Sequence, residues 1–210
     1  LEPVAEAKAD ETEEESIQIN LQNWEAEAPY LDSLRQADSP LLYQRYLDLK
    51  STYGKIPAYY VEVADFLWQK GQKAQALKVL SNLGEIGVDN PQYLRIMARR
   101  LLQWGEISWA IEVFKQIVEL RPYEPQSLRD LALAHAQNGQ IQKAIDGLYE
   151  VITTPWDDRF PEIEVVAAHE MNSLIGQSKE PLSLSDIDPR LLAQLPTDIR
   201  VVLDWDANDI

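Results

Sequence analysis

From residue 57 onward the apolar positions fall into blocks with helical spacing, separated by short polar turns. Tyr60, Ala64 and Leu67 share one face of a first block, and Ala76, Leu80 and Leu83 share one face of a second. The same two blocks return with Leu94, Ala98 and Leu101, then Ala110, Phe114 and Ile117. They return again with Leu128, Ala132 and His135, then Ala144, Leu148 and Val151. Each pair of blocks predicts two helices joined by a tight turn. Upstream, residues 29–37 and 40–53 predict a degenerate leading pair, with Leu42, Tyr46, Leu49 and Tyr53 at helical spacing. Downstream, residues 161–176 predict one more helix, with Val165, Ala168, Met171 and Leu174 at similar spacing. A short helix is expected after Pro189, and residues 198–206 read as a strand. Near the start, Ile17, Ile19 and Leu21 alternate with polar residues and predict a short strand or an extended segment.

The central blocks repeat with a period of 34 residues. Pro57, Pro91 and Pro125 open the first helix of each unit, where a missing N–H costs nothing because that turn has no intrahelical partner for it. Ala64, Ala98 and Ala132 are small enough to let the two helices of a unit approach. Gly71, Gly105 and Gly139 stand just past the first helix, where a left-handed cap favours a residue without Cβ. Ala76, Ala110 and Ala144 are the matching small contacts of the second helix.

This pattern resembles the tetratricopeptide repeat, and the resemblance covers residues 57–156. It implies an all-α solenoid of antiparallel helix pairs whose first helices line a concave groove. There are departures. The aromatic expected early in the first helix is Tyr60, then Leu94, then Leu128, and the second helix stops at Gly87–Val88–Asp89–Asn90 in the first unit, at Pro122 in the second and at Thr153–Thr154–Pro155–Trp156 in the third. The organisation expected is an acidic linker or extended segment over 1–28, the leading pair over 29–56, and repeats over 57–90, 91–124 and 125–156. A capping helix over 157–180 and a linker with a truncated first strand over 181–210 complete it. Solenoid ends need polar-faced terminal units, and both flanks are assigned that role. The stretch from Pro189 to Asp209 is similar to the junction that follows such repeats in large bacterial proteins with inter-alpha-trypsin-inhibitor-type and von Willebrand factor A-type domains. That likeness implies a piece of a longer protein of the cell envelope, periplasmic or surface-exposed.

Charge narrows the partners. The net charge is −16, with −8 over residues 1–28, +1 over 29–56, −1 over 57–156 and −8 over 157–210. Nucleic acid and anionic membrane surfaces need a basic face, and this charge balance argues against both as partners. No apolar run is long enough to insert in a membrane. The absence of Cys excludes disulfides, thiolate metal sites and a Cys nucleophile, and two His are too few for a His-rich zinc site.

No phosphate-binding Gly-rich loop or Gly-x-Ser-x-Gly elbow occurs, and His169–Glu170 lacks a second His at metalloprotease spacing. His135 takes the place of Leu67 and Leu101 and is expected to pack, while His169 is expected on a helix surface. Asp204, Asp206, Asn208 and Asp209 could offer oxygens to Ca²⁺, but the Gly and final Glu of an EF-hand are missing. No enzyme activity, cofactor or metal is expected. The candidate surface is the groove, with Glu62, Asp65 and Gln69 from the first unit, Arg95, Arg99 and Gln103 from the second, and Arg129, Asp130 and Gln137 from the third. Arg95 and Arg99 share a helical face, and Arg129 stands one repeat beyond Arg95. Three Arg in a neutral array could hold a carboxylate or an acidic peptide by bidentate bonds. The competing reading is an internal network with Glu62, Asp65 and Asp130, or with the acidic tails. Trp68, Trp104 and Trp109 divide between core and binding hot spot. The expected function is a protein–protein interaction module that binds a peptide or protein segment in the groove, as a monomer or weak homodimer. The alternative is a structural spacer with no external ligand.

Overall fold

The computed structural model describes residues 28–87 and 89–195. The extended segment expected around Ile17, the strand over 198–206 and the Asp204–Asp209 cluster lie outside the described residues. Nine α-helices, and no strand, are found among the described residues. They are α1 (Pro29–Arg35), α2 (Leu42–Tyr53), α3 (Pro57–Gln69), α4 (Lys73–Ile86), α5 (Pro91–Gln103), α6 (Ile107–Leu120), α7 (Pro125–Gln137), α8 (Ile141–Thr153) and α9 (Ile163–Gln177). Helices α3 and α4, α5 and α6, and α7 and α8 pack as pairs, and each pair packs on the next. The architecture is an all-α solenoid of the tetratricopeptide type. None of these helices is long and apolar enough to cross a membrane.

The period seen in the sequence is a period of the backbone. Gly71, Gly105 and Gly139 have φ of 77°, 79° and 73°. Each closes its helix the same way. Gly105 N–H donates to Leu102 O (3.0 Å) while Glu106 N–H reaches back to Leu101 O (2.9 Å), a Schellman cap. A Cβ at Gly105 would meet nothing within 4 Å, so the strain of a side chain there is purely conformational. Gly105→Ala is therefore expected to cost about 1–2 kcal/mol in urea unfolding, the price of a left-handed L-residue. Gly176→Ala, at a right-handed position inside α9, is expected to stabilise by about 0.5–1 kcal/mol.

The register positions form the core. Ala64, Ala98, Ala76, Ala110 and Ala144 are fully buried, and so are Leu83, Ile117, Leu148 and Val151. Small residues on facing helices bring the pairs close. A Cβ at Gly147 of α8 would come within 3.1 Å of the Ala132 Cβ of α7.

At the leading end, α1 and α2 cover α3 with a tyrosine cluster. The Tyr59 ring lies 5.1 Å from Tyr30, 5.7 Å from Tyr46, 5.9 Å from Tyr53 and 5.4 Å from Tyr60, centroid to centroid. At the other end α9 starts two residues later than its sequence pattern suggests. Glu162 sits at φ 62°, so Pro161 and Glu162 belong to the turn. The buried face of α9 also differs from the expected one. It carries Ala167, Met171 and Asn172, while Val165 is exposed. The helix is rotated to present Glu170 to α7 and Asn172 to the chain that follows. The expected short helix after Pro189 is a single 3-10 turn, Pro189–Leu191.

Candidate functional site

The first helices of successive units are tied by polar bridges on one side of the array. Tyr30 of α1 donates to Glu62 Oε2 on α3 at 2.6 Å. Asp65 of α3 pairs with Arg100 of α5 at 3.2 Å. Arg95 and Arg99 of α5 both reach Asp130 of α7, at 3.3 and 3.6 Å. Arg95 also contacts Ser127 Oγ (3.3 Å) and Glu124 Oε2 (3.4 Å). Arg129 of α7 makes a two-armed fork to Glu170 of α9, Nε to Oε2 at 2.8 Å and Nη2 to Oε1 at 2.5 Å. Gln126 links the two networks: it accepts from Arg129 Nη1 (3.3 Å) and donates to Asp130 Oδ1 (2.8 Å). The bridges run without a gap from α1 to α9.

The candidate arginines thus take different roles. Arg95 and Arg129 are buried, with 7% and 5% of their surface exposed. They do not converge on a common space: Arg95 and Arg99 share Asp130, and Arg129 turns to α9. Arg99 differs in exposure, with 43% of its side chain in solvent. Gln69, Gln103 and Gln137 are all exposed, each as the last residue of its helix, so they form a row with the repeat's spacing. Gln103 Oε1 accepts from Arg100 Nη1 at 2.7 Å. Glu62 and Asp65 are committed to Tyr30 and Arg100.

Six bridging residues were not among the sequence candidates: Tyr30, Arg100, Glu124, Gln126, Ser127 and Glu170. Arg100 was findable. It stands thirty-five residues after Asp65, the same separation as Arg95 from Asp130, one repeat plus one position. Ser127 lies thirty-two residues after Arg95, the separation that also joins Tyr30 to Glu62. Glu170 carried no such signal, because α9 begins at Ile163 and departs from the 34-residue register.

The tryptophans divide as well. Trp68 and Trp104 stack at 4.4 Å with planes 4° apart, and Lys73 Nζ lies 4.7 Å over the outer face of Trp68. Both rings are half-buried, whereas Trp109 on α6 is 61% exposed. His135 is half-buried with Nδ1 2.6 Å from Gln140 Oε1, and His169 is exposed.

Asp65 lies beside the stacked rings. Burial pushes its carboxyl above the ordinary 3.8, against the opposing pull of Arg100 and a hydrogen bond to Trp104. A raised pKa means that the folded chain holds this proton more readily than the unfolded chain does. The stabilising contribution is complete below 3.8 and is lost as pH rises through the raised value. Asp65→Asn is expected to remove this part of the decline in thermal midpoint, followed by circular dichroism between about pH 4 and about pH 7.

Among the described residues no group of three or more His, Asp or Glu is placed to hold a metal ion. No family model matches the chain, and no curated protein matches it. Solved structures give partial similarity. MamA residues 41 to the end from Desulfovibrio magneticus RS-1 is 16% identical, over 69% of this chain and 78% of that one, with a TM-score of 0.44. A kinesin light chain with nearly identical TPR-like repeats from Podosopora anserina is 19% identical over 69% and 81%, with a TM-score of 0.45. The type III secretion translocator chaperone SycD of Yersinia enterocolitica is 18% identical over 69% and 90%, with a TM-score of 0.41.

Proposed function

We propose that this chain is a non-catalytic protein-interaction module that holds a peptide or protein segment against its first-helix face. The observation that carries this reading is the row of exposed Gln69, Gln103 and Gln137 beside half-exposed Arg99 and the Trp68–Trp104 stack. Side-chain amides offer both donors and acceptors, and three of them at a fixed interval suit a bound main chain. Arg99 adds a charge that a carboxylate of the partner can accept. In this reading Arg95 and Arg129 are supports: their guanidinium groups hold α5, α7 and α9 in register and leave the contacts to their neighbours. The partner is a protein segment, and the parent is a larger bacterial protein of the cell envelope.

A photoreactive amino acid at position 103 tests this directly. Irradiation in extract of the source cells is expected to give a covalent adduct with one protein. The same group at position 109, on the exposed face of α6, is expected to give none. An adduct only through 109 would move binding to the second helices. No adduct through either position would favour the second reading, a spacer, which the unbroken run of internal bridges from α1 to α9 also suits.

A further inference from the structure

After α9 the chain turns back and lies along α8 and α9 as a strap over residues 178–193. It has no regular structure apart from the Pro189–Leu191 turn. Ile187 is 6% exposed and sits in a cluster with Ala132, Ile145, Leu148, Val151, Ala167 and Met171. Leu182, Leu184 and Leu191 pack half-buried against the same cluster.

The polar contacts of the strap are made to its main chain. Gln142 Nε2 of α8 donates to Ser183 O at 3.1 Å, and Ser183 N–H donates to Gln142 Oε1 at 2.8 Å. Asn172 of α9 repeats the device: Nδ2 donates to Leu191 O at 2.9 Å, and Ala193 N–H donates to Oδ1 at 2.7 Å. Asp188 N–H points to Tyr149 Oη at 3.4 Å. Asn172 is 6% exposed on an otherwise apolar face of α9, a costly place for an amide unless main-chain groups meet it. Two amides that grip backbone N–H and C=O groups recognise main chain whatever its side chains, and the aliphatic side chains at 182, 184, 187 and 191 supply the selectivity. The strap is held lightly. Only Ile187 of its side chains is buried, and no backbone ladder ties it down.

We infer that the α8–α9 face is a binding site for a peptide with aliphatic residues at its first, third, sixth and tenth positions that turns as residues 182–191 do, and that these residues occupy it in cis. A partner segment of that chemistry competes with the strap for Gln142, Asn172 and the Ile187 pocket. None of the polar contacts comes from α3, α5 or α7, so this site and the first-helix face stand or fall separately.

The test uses the full chain and a fluorescent synthetic peptide of residues 181–195. Leu184→Asp with Ile187→Asp releases the strap. Ser183→Pro with Ala193→Pro releases it more gently, by removing two N–H donors and no core side chain. Circular dichroism identifies which released form keeps its helices. The peptide is expected to bind that form at least about tenfold tighter than the wild type, whose site is filled at high effective concentration. Adding Asn172→Ala or Gln142→Ala to the released form is expected to weaken binding about tenfold. Equal affinity for wild type and both released forms would overturn the proposal. So would a released form that dimerises in gel filtration and excludes the peptide, since the site would then belong to straps exchanged between copies.

Discussion

Tyr59→Ala is expected to destabilise the chain by about 3–5 kcal/mol in urea unfolding, the range for deleting a fully buried aromatic side chain. Tyr59 has no exposed surface, and its ring meets those of Tyr30, Tyr46, Tyr53 and Tyr60. Its removal opens a cavity where α1, α2 and α3 meet, so the leading cap loses its centre. Its hydroxyl donates to Tyr46 O at 2.6 Å, and Tyr59→Phe is expected to cost only about 1 kcal/mol. Tyr46→Phe provides the contrast. The Tyr46 hydroxyl is buried with no hydrogen-bond partner among the described residues, and burial pushes its pKa up. Its removal is expected to be neutral or stabilising, because nothing is left unpaired.

Arg129→Ala is expected to cost about 3–5 kcal/mol, because it strands Glu170 at an interface where little water reaches. The two side chains are 6% and 18% exposed, so neither charge is well solvated. Replacing both, as Arg129→Met with Glu170→Leu, is expected to recover most of that loss, since a well-packed apolar pair stands in for a buried ion pair at little net cost. A double-mutant cycle isolates the coupling. A cost for Arg129→Ala under about 1 kcal/mol would place the pair in the class of exposed bridges.

The repeating half of the chain was legible because one period fixes three things together. Pro57, Pro91 and Pro125 start helices, Gly71, Gly105 and Gly139 end them left-handed, and the Ala positions between are fully or almost fully buried. The helix on which each candidate residue stands was legible by register, but most of the partners were not. Periodicity places Arg95 and Arg129 on one side of the array; it does not say which carboxylate a guanidinium will meet. Asp130 lay one repeat away and was weighed as an internal partner, whereas Glu170 follows a longer connection that breaks the period. The strap was illegible for a different reason. Leu184, Ile187 and Leu191 fall at helical spacing, but Ser185, Asp186, Asp188 and Pro189 interrupt any helix between them, and the side chains fit the surface of α8 and α9 and not an element of their own. The amides that hold them, Gln142 and Asn172, look like ordinary helix polar residues until the main chain opposite is seen.

Under the proposed function the candidate arginines divide, with Arg99 meeting the partner and Arg129 supporting the frame. Affinity capture from extract with three baits tests it most directly: the wild type, Arg99→Gln, and Arg129→Met with Glu170→Leu. A protein retained by the wild type and by the double variant, and lost from Arg99→Gln, is the result predicted. Retention that survives Arg99→Gln and disappears with the folded double variant would contradict it.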